Sequence, residues 1–254
     1  MIVLKSPEEI AIMRAGGKIL AQVLHELSAV VRPGITTNSL DQLARELIQQ
    51  YPGATPAFLG YAPDGNKKYP AAICVSVNDE IIHGLPAERI IKEGDIVTLD
   101  LGIQYQNYFT DAAVTVAVGG VSALARTLLE ATREALEIGL AEAKAGNTTG
   151  NIGAAIEGYI KKQGFAVVKE FAGHGVGRSV HEPPLVPNYG RAGEGEALQT
   201  GMTLAIEPMV VAGKGRAVLR PDGWTYATVD GSLAAQFEHT VAITANGPEV
   251  LTLL

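Results

Sequence analysis

The sequence predicts a fold of helices and strands in two related halves, and three observations carry that expectation. The first is an order of elements: two amphipathic helical runs, then apolar strand-like runs, after which the order starts again. The second is a pair of short matches between the halves. Gly34-Ile35-Thr36-Thr37-Asn38-Ser39-Leu40 resembles Gly146-Asn147-Thr148-Thr149-Gly150-Asn151-Ile152, and Gly94-Asp95-Ile96-Val97-Thr98-Leu99-Asp100 resembles Gly201-Met202-Thr203-Leu204-Ala205-Ile206-Glu207, at offsets of 112 and 107 residues. The third is that the second match sets a carboxylate, Asp100, against another, Glu207, each at the end of an apolar strand that follows a glycine. Single short matches arise by chance; two in the same order with similar offsets favour a duplicated helix–helix–strand unit. One domain over 1–254 is expected, with halves over about 1–120 and 121–254.

Each element has a local cause. Ser6-Pro7-Glu8-Glu9 starts the first helix: Ser6 caps, Pro7 takes the first helical position, and Glu9 completes a capping box. Ile10, Met13, Leu20, Val23, Leu24 and Leu27 follow at helical spacing until Pro33-Gly34 ends the run. A second helix begins after Thr37, with Leu40, Leu43, Leu47 and Ile48 on its apolar side, and ends before Pro52-Gly53. Strands are predicted over 73–77, 96–101 and 113–118. Helices over 123–145 and 152–162 follow, then strands over 166–171, 202–206 and 237–243.

The chain has 47% apolar and 19% charged residues and a formal charge of −7 with no run of like charges, which argues against disorder and against a basic nucleic-acid face. A single cysteine, Cys74, excludes an internal disulfide and fits a reducing compartment. No secretory leader pattern and no run of about 20 apolar residues is found, so a cytoplasmic protein is expected, with neither a membrane nor a nucleic acid as partner.

Five residues point to metal chemistry: Asp100, Asp111, His174, Glu207 and Glu238. Four carboxylates and one imidazole suit two divalent cations. Asp100 and Asp111 sit in a predicted hairpin centred between Tyr105 and Gln106, which places them directly opposite, with Cβ atoms about 4.5–5.5 Å apart. Two such buried acids would repel and take up protons unless a cation lay between them. His174 stands in Gly173-His174-Gly175-Val176-Gly177, where glycines allow close backbone approach. His181, in His181-Glu182-Pro183-Pro184, suits a hydrogen bond to substrate, and His83, beside Gly84, suits a proton shuttle or donor. A lone histidine is more often structural than functional, and His25, on a predicted helix, and His239 read that way.

Taken together, Cys74-Val75-Ser76-Val77-Asn78, His83-Gly84, Asp100-Leu101-Gly102, Phe109-Thr110-Asp111, the Gly-His-Gly-Val-Gly loop, Ile206-Glu207-Pro208-Met209 and Gln236-Phe237-Glu238-His239-Thr240 resemble the motifs of type I methionine aminopeptidases, in the short bacterial form without a zinc-finger extension. The resemblance runs from about Ser6 to the C-terminus. It implies an α+β "pita-bread" fold and hydrolytic removal of N-terminal methionine, with a small second residue preferred. It further implies that Asp100 chelates one metal, Asp111 and Glu238 bridge both, and His174 and Glu207 complete the other shell. The two ions would be drawn from cobalt, manganese, iron and zinc, and a hydroxide held between them would attack the scissile carbonyl. Glu207 would handle the water proton, and His83 and His181 would contact substrate. Cys74, Tyr61, Tyr69 and Trp224 would line the methionine pocket. The implied substrates are nascent polypeptide N-termini beginning with Met, on a monomeric enzyme, with the ribosome an open partner.

Two departures stand out: Val180 replaces the aromatic residue common before the second histidine of this loop, and the loop over 62–68 is longer than usual. Two rival readings exist. A proline-directed peptidase of the same core is expected to carry an added N-terminal domain. A non-enzymatic binding relative is expected to lose metal ligands and gain basic patches.

Overall fold

The order of helices and strands follows the predicted repeat. A computed structural model describes residues 2–62, 65 and 67–254. The first half holds α1 (Pro7–Val30), α2 (Thr37–Gln49), β1 (Ala54–Pro56), β2 (Cys74–Val77), β3 (Glu80–Ile82), β4 (Ile96–Tyr105) and β5 (Tyr108–Ala117). The second opens with α3 (Ala123–Glu142) and α4 (Thr149–Lys162), followed by β6 (Ala166–Val167), β7 (Ala172–Gly175), β8 (Glu182–Pro187) and β9 (Thr203–Ile206). Then come β10 (Met209–Val211), β11 (Ala217–Leu219), β12 (Tyr226–Thr228), β13 (Ala234–Gln236), β14 (Glu238–Thr244) and β15 (Gly247–Val250).

The helix starts obey the capping logic. Ser6 accepts from the Glu9 amide while the Glu9 carboxylate accepts from the Ser6 amide, so two amides that lack helical partners are satisfied. Thr36, not Thr37, caps α2. The helices lie outside a nine-stranded sheet ordered β1-β4-β5-β14-β9-β7-β8, with β2 paired to β4 and β15 to β14. Each half buries its own apolar cluster. Leu20, Leu27, Leu40 and Ile48 pack with Leu99 and Leu101 in the first, and Leu128, Leu136, Ile152 and Ile156 pack with Leu204 and Ile206 in the second. Each such fully buried side chain contributes about 1.5–3 kcal/mol.

Two three-stranded sheets, β13-β10-β6 and β11-β12-β3, stand beside the large one. The latter pairs Tyr226 with Ile82, next to His83.

Three sequence expectations are corrected. The β4–β5 register pairs Asp100 with Ala113 and Asp111 with Gly102, so the two acids are diagonal rather than opposite. The cause is the turn: Gln106 and Asn107, at φ 48° and 67°, form a two-residue loop with both residues left-handed, as tight hairpins require. The hairpin centre therefore lies one residue later than expected, a register shift of two. A shift of two keeps both acids on the same face. The predicted strand over 166–171 is paired only at Ala166–Val167, where it meets β10. The last strand of the first half spans Tyr108–Ala117 rather than 113–118.

Candidate metal centre

The sheet order aligns the five candidate ligands on, or directly at the end of, five neighbouring strands. Asp100 lies on β4, Asp111 on β5, Glu238 opens β14, Glu207 follows the last residue of β9, and His174 lies on β7. Glu238 pairs with Ala113, and His174 with Ala205, which holds their backbones in one sheet. Asp111, His174 and Glu238 offer ligand atoms within 4.8 Å of one another, and His174 Nε2 lies 3.7 Å from Glu207 Oε1. All five are buried.

Glycines make this approach possible. A Cβ on Gly173 would lie 2.3 Å from the Ala205 carbonyl oxygen, and one on Gly175 would lie 2.3 Å from that of Pro183. Any larger residue on either side of His174 would push β7 off its neighbours. The His174 Nδ1 lies 2.8 Å from the Gly175 carbonyl. A carbonyl only accepts, so Nδ1 carries the proton and Nε2 presents its lone pair to the carboxylates.

Electrostatics mark the cluster as a cation site. Burial, then Asp111, pushes the Asp100 carboxyl well above its usual range. Burial raises Asp111 to about 7. Glu207 and Glu238 also rise, first through burial and then through the neighbouring acids. His174 is pushed down to about 3 by burial and then by His181, so its approach to Glu207 is not an ion pair but two lone-pair ligand atoms side by side. Asp111 Oδ1 and Glu238 Oε1 are buried without a hydrogen-bond partner among the described residues. Buried carboxylate oxygens without partners are costly, and a hard divalent cation satisfies them. The donor set therefore fits divalent metal.

One cavity of about 140 Å³ adjoins the cluster. All eleven residues singled out from the sequence line it, and one more joins them, Phe58. On the apolar side Tyr69 meets Trp224 edge to face at 5.1 Å between centroids, and Phe58, Cys74 and Val180 are buried in the same cluster. Val180, smaller than the expected aromatic residue, packs in the cluster behind this wall and does not itself line the cavity. Of the 62–68 loop, Pro63, Asp64 and Asn66 lie outside the described residues. Tyr61 and Tyr69 are tied across it by the Tyr69 amide, which donates to the Tyr61 carbonyl at 2.8 Å, and both reach the cavity. Burial pushes the Cys74 thiol up, so it serves as a neutral packing group.

On the polar side, the Tyr61 hydroxyl lies 2.6 Å from His181 Nδ1, and the His181 ring stands 4.3 Å from that of His174. Burial raises the Tyr61 hydroxyl and lowers His181, so a neutral hydroxyl and a neutral imidazole share this hydrogen bond; in the tautomer in which Tyr61 donates, the His181 proton sits on Nε2. His83 sits at φ 56° and is pushed down to about 4 by burial and then by His181.

These features match a known family. A model of metallopeptidase family M24 matches residues 11–245. The chain belongs to metallopeptidase family M24. Within it, the methionine aminopeptidase of Clostridium perfringens is 47% identical over 254 residues, covering all of both chains. A crystal structure of methionine aminopeptidase from Thermotoga maritima superposes with a TM-score of 0.95 at 45% identity, again over all of both chains. The prolidase of Pyrococcus furiosus aligns with a TM-score of 0.79 at 25% identity, over 99% of this chain but 66% of its own. The α+β pita-bread fold implied by the motifs is the fold observed for this M24 chain. No described helix is long and apolar enough to cross a membrane.

Sequence reasoning missed two supports of the M24 site. Phe58 follows β1 with no motif to mark it. Gln236 was seen only as part of a motif, yet its Nε2 donates to Glu207 Oε2 at 3.0 Å. Thr115 in turn fixes Gln236, its hydroxyl donating to the Gln236 carbonyl at 2.6 Å. His239 has the structural place expected of it, with Nδ1 2.9 Å from the Thr252 hydroxyl.

Proposed function

We propose that this protein is a methionine aminopeptidase, a single catalytic domain over 1–254 that hydrolytically frees methionine from polypeptide N-termini. The observation that carries the reading is the junction of two surfaces in one cavity: metal donors from five adjacent strands and an apolar wall of Phe58, Tyr69, Cys74 and Trp224. A thioether bends into irregular apolar space and gains from contact with aromatic rings and sulfur, which this wall provides.

Two divalent ions, from manganese, iron, cobalt or zinc, suit the donor set. Strand order supports the assignment of roles: Asp111 and Glu238, on the central pair β5 and β14, would be shared between the ions, while Asp100 on the β4 side would hold one and Glu207 with His174 on the β9–β7 side the other. When bound, such ions supply Lewis acidity and acidify water from 15.7 toward ~7. The protein's residues do the rest. Glu207, held by Gln236, takes and passes the water proton. His181 donates from Nε2 to the scissile carbonyl or the leaving amine, with Tyr61 fixing its other nitrogen, and His83 assists from within the same cavity. One such donor is typically worth 10²–10³-fold.

The substrates are nascent chains in the cytoplasm, with a small second residue and the ribosome as the source of substrate, and the enzyme works as a monomer. The test is methionine release from Met-Ala-Ser against release from an Xaa-Pro peptide, by metal-reconstituted protein and a chelated control. Metal-dependent release of methionine alone is expected. Cleavage only beside proline, or full activity after chelation, overturns the reading.

A further inference from the structure

Lysine is among the residues least often buried, yet the Lys5 side chain is 2% exposed, and its partner Glu182 is 7% exposed. Lys5 Nζ donates to Glu182 Oε2 at 2.5 Å and to the Val3 carbonyl at 3.1 Å. The other carboxylate oxygen, Oε1, accepts from the Arg178 amide at 2.5 Å and the Ser179 amide at 3.0 Å. One buried carboxylate thus closes the turn over 178–182 from inside while a buried cation holds it from outside. The fit leaves no slack: a Cβ on Gly177 would lie 2.4 Å from Lys5 Cε. The Lys5 amide is fixed too, donating to the Gly201 carbonyl at 2.7 Å.

The turn is gripped a second time by α1. Arg178 Nη2 donates to Glu9 Oε1 at 2.7 Å, and Tyr108 donates to the same oxygen at 2.6 Å. The Phe109 amide donates to the Gly177 carbonyl at 2.6 Å. What this doubly held turn carries is His181, the residue immediately before Glu182.

We propose that Lys5, acting through Glu182, is a positioning residue for His181. An exposed ion pair would be loose and screened by salt. A buried one, with its carboxylate accepting from two backbone amides as well, admits a single arrangement of the turn. His181 needs that precision because the other end of its ring is already committed to Tyr61, and a misplacement of an ångström costs about 10²-fold in rate. The segment ahead of α1 therefore supports the proposed reaction although, among the described residues, the Lys5 ammonium hydrogen-bonds Val3 and Glu182 and no residue that lines the cavity. The inference rests on the proposed reaction.

The test uses full-length, metal-loaded protein with Lys5→Met and Glu182→Gln, each made in the parent and in a His181→Ala background. Steady-state methionine release from Met-Ala-Ser and hydrogen exchange at the Arg178 and Ser179 amides are measured. Each variant is expected to lower kcat between tenfold and about 10²-fold with KM moving less than threefold, and to speed exchange at both amides. In the His181→Ala background neither is expected to lower kcat further. A kcat within twofold of the parent overturns the proposal, as does an equal loss with and without His181. If Lys5→Met does not fold, the isosteric Glu182→Gln decides alone. If the parent releases no methionine, the functional reading falls instead, and unchanged amide exchange in Glu182→Gln then overturns the clamp on its own.

Discussion

The two halves share a backbone device and differ in what they hang on it. In the first, the Gly34 amide donates to the Ile91 carbonyl, Thr37 to Arg89 and Asn38 to Ala87. In the second, Gly146 donates to Leu198, Thr149 to Glu196 and Gly150 to Glu194. Thr36 bridges to Ile90 as Thr148 bridges to Ala197. The chemistry breaks this symmetry. The first half delivers two acids from one long hairpin, β4–β5. The second delivers Glu207 and Glu238 from separate strands and adds His174. Duplicated scaffold therefore fixes where acids arrive, and later divergence decides what each acid does.

The hardest way to break that comparison is at its meeting line. Asp111 of the first half and Glu238 of the second each have a buried, unpartnered oxygen. If both bridge the ions, Asp111→Asn and Glu238→Gln should be equivalent, each lowering kcat/KM on the order of 10³-fold. Both should also reduce bound metal, measured by elemental analysis of the purified protein. A large loss for one and a small loss for the other would show that the centre belongs to one half.

The repeat sets Asp100 against Glu207, and their surroundings sharpen the contrast. Asp100 lies within β4, opposite Cys74 on one neighbour and Ala113 on the other. Glu207 lies beyond β9, with Gln236 on its carboxylate and the Asn188 side chain donating to its carbonyl at 2.9 Å. If Glu207 both holds metal and moves protons, its free oxygen must be aimed, and the Gln236 amide is placed to aim it. Gln236→Leu should lower kcat by roughly 10–100-fold, the usual cost of an outer partner, with Tm little changed. Equal losses in kcat and in folding stability would reduce Gln236 to a packing residue.

What was legible in the sequence was local or repeated. Ser6 and Glu9 announce a cap because cap and partner are three residues apart, and Gly34 and Gly146 announce turns because only the backbone is involved. The five metal-ligand candidates, His83, His181 and Cys74 were readable because each sits in a short motif with glycine, proline or strand neighbours, whereas Tyr61, Tyr69 and Trp224 came only with the family resemblance. The hairpin register was not, since Gln106-Asn107 lacks the glycine that marks most two-residue turns. Neither was the bond from Gln236 to Glu207, which joins residues distant in sequence through sheet geometry alone. Phe58 is an aromatic residue on a short loop, and nothing in its neighbours distinguishes it from a core residue. Lys5 was unreadable for the same reason as Gln236: its burial depends on a turn far along the chain.

A milder test of the shared scaffold uses the two turn glycines. Gly34 and Gly146 adopt φ 93° and 92°, and nothing lies within 4 Å of where a Cβ would stand on either. Substitution by alanine therefore meets backbone strain and no clash. Gly34→Ala and Gly146→Ala should each cost about 1–2 kcal/mol in urea unfolding, with kcat unchanged in both. A cost confined to one glycine would mean that only one half depends on its turn.

The smallest effect separates the helix starts that open the two halves. Both α1 and α3 use a serine cap, Ser6 accepting from Glu9 and Ser122 from Ala125. Only α1 adds an ionised acid. Glu9 is held down to about 2 by the hydrogen bond from Tyr108, then by the Ser6 amide and by Arg178. A carboxyl whose folded value is depressed contributes stability above its unfolded value of 4.5, and that contribution fades as pH falls toward 2. Glu9→Gln should therefore lower Tm against the parent at pH 7, and the gap should close between pH 4.5 and about 2. Ser122→Ala removes a neutral cap worth ~1 kcal/mol, so its gap should stay constant across the same range. Parallel melting series at pH 7, 4 and 2.5 read the difference directly. A Glu9→Gln gap that does not narrow would mean that the acid contributes by shape, as Ser122 does, and that the charge on this side of the molecule is incidental.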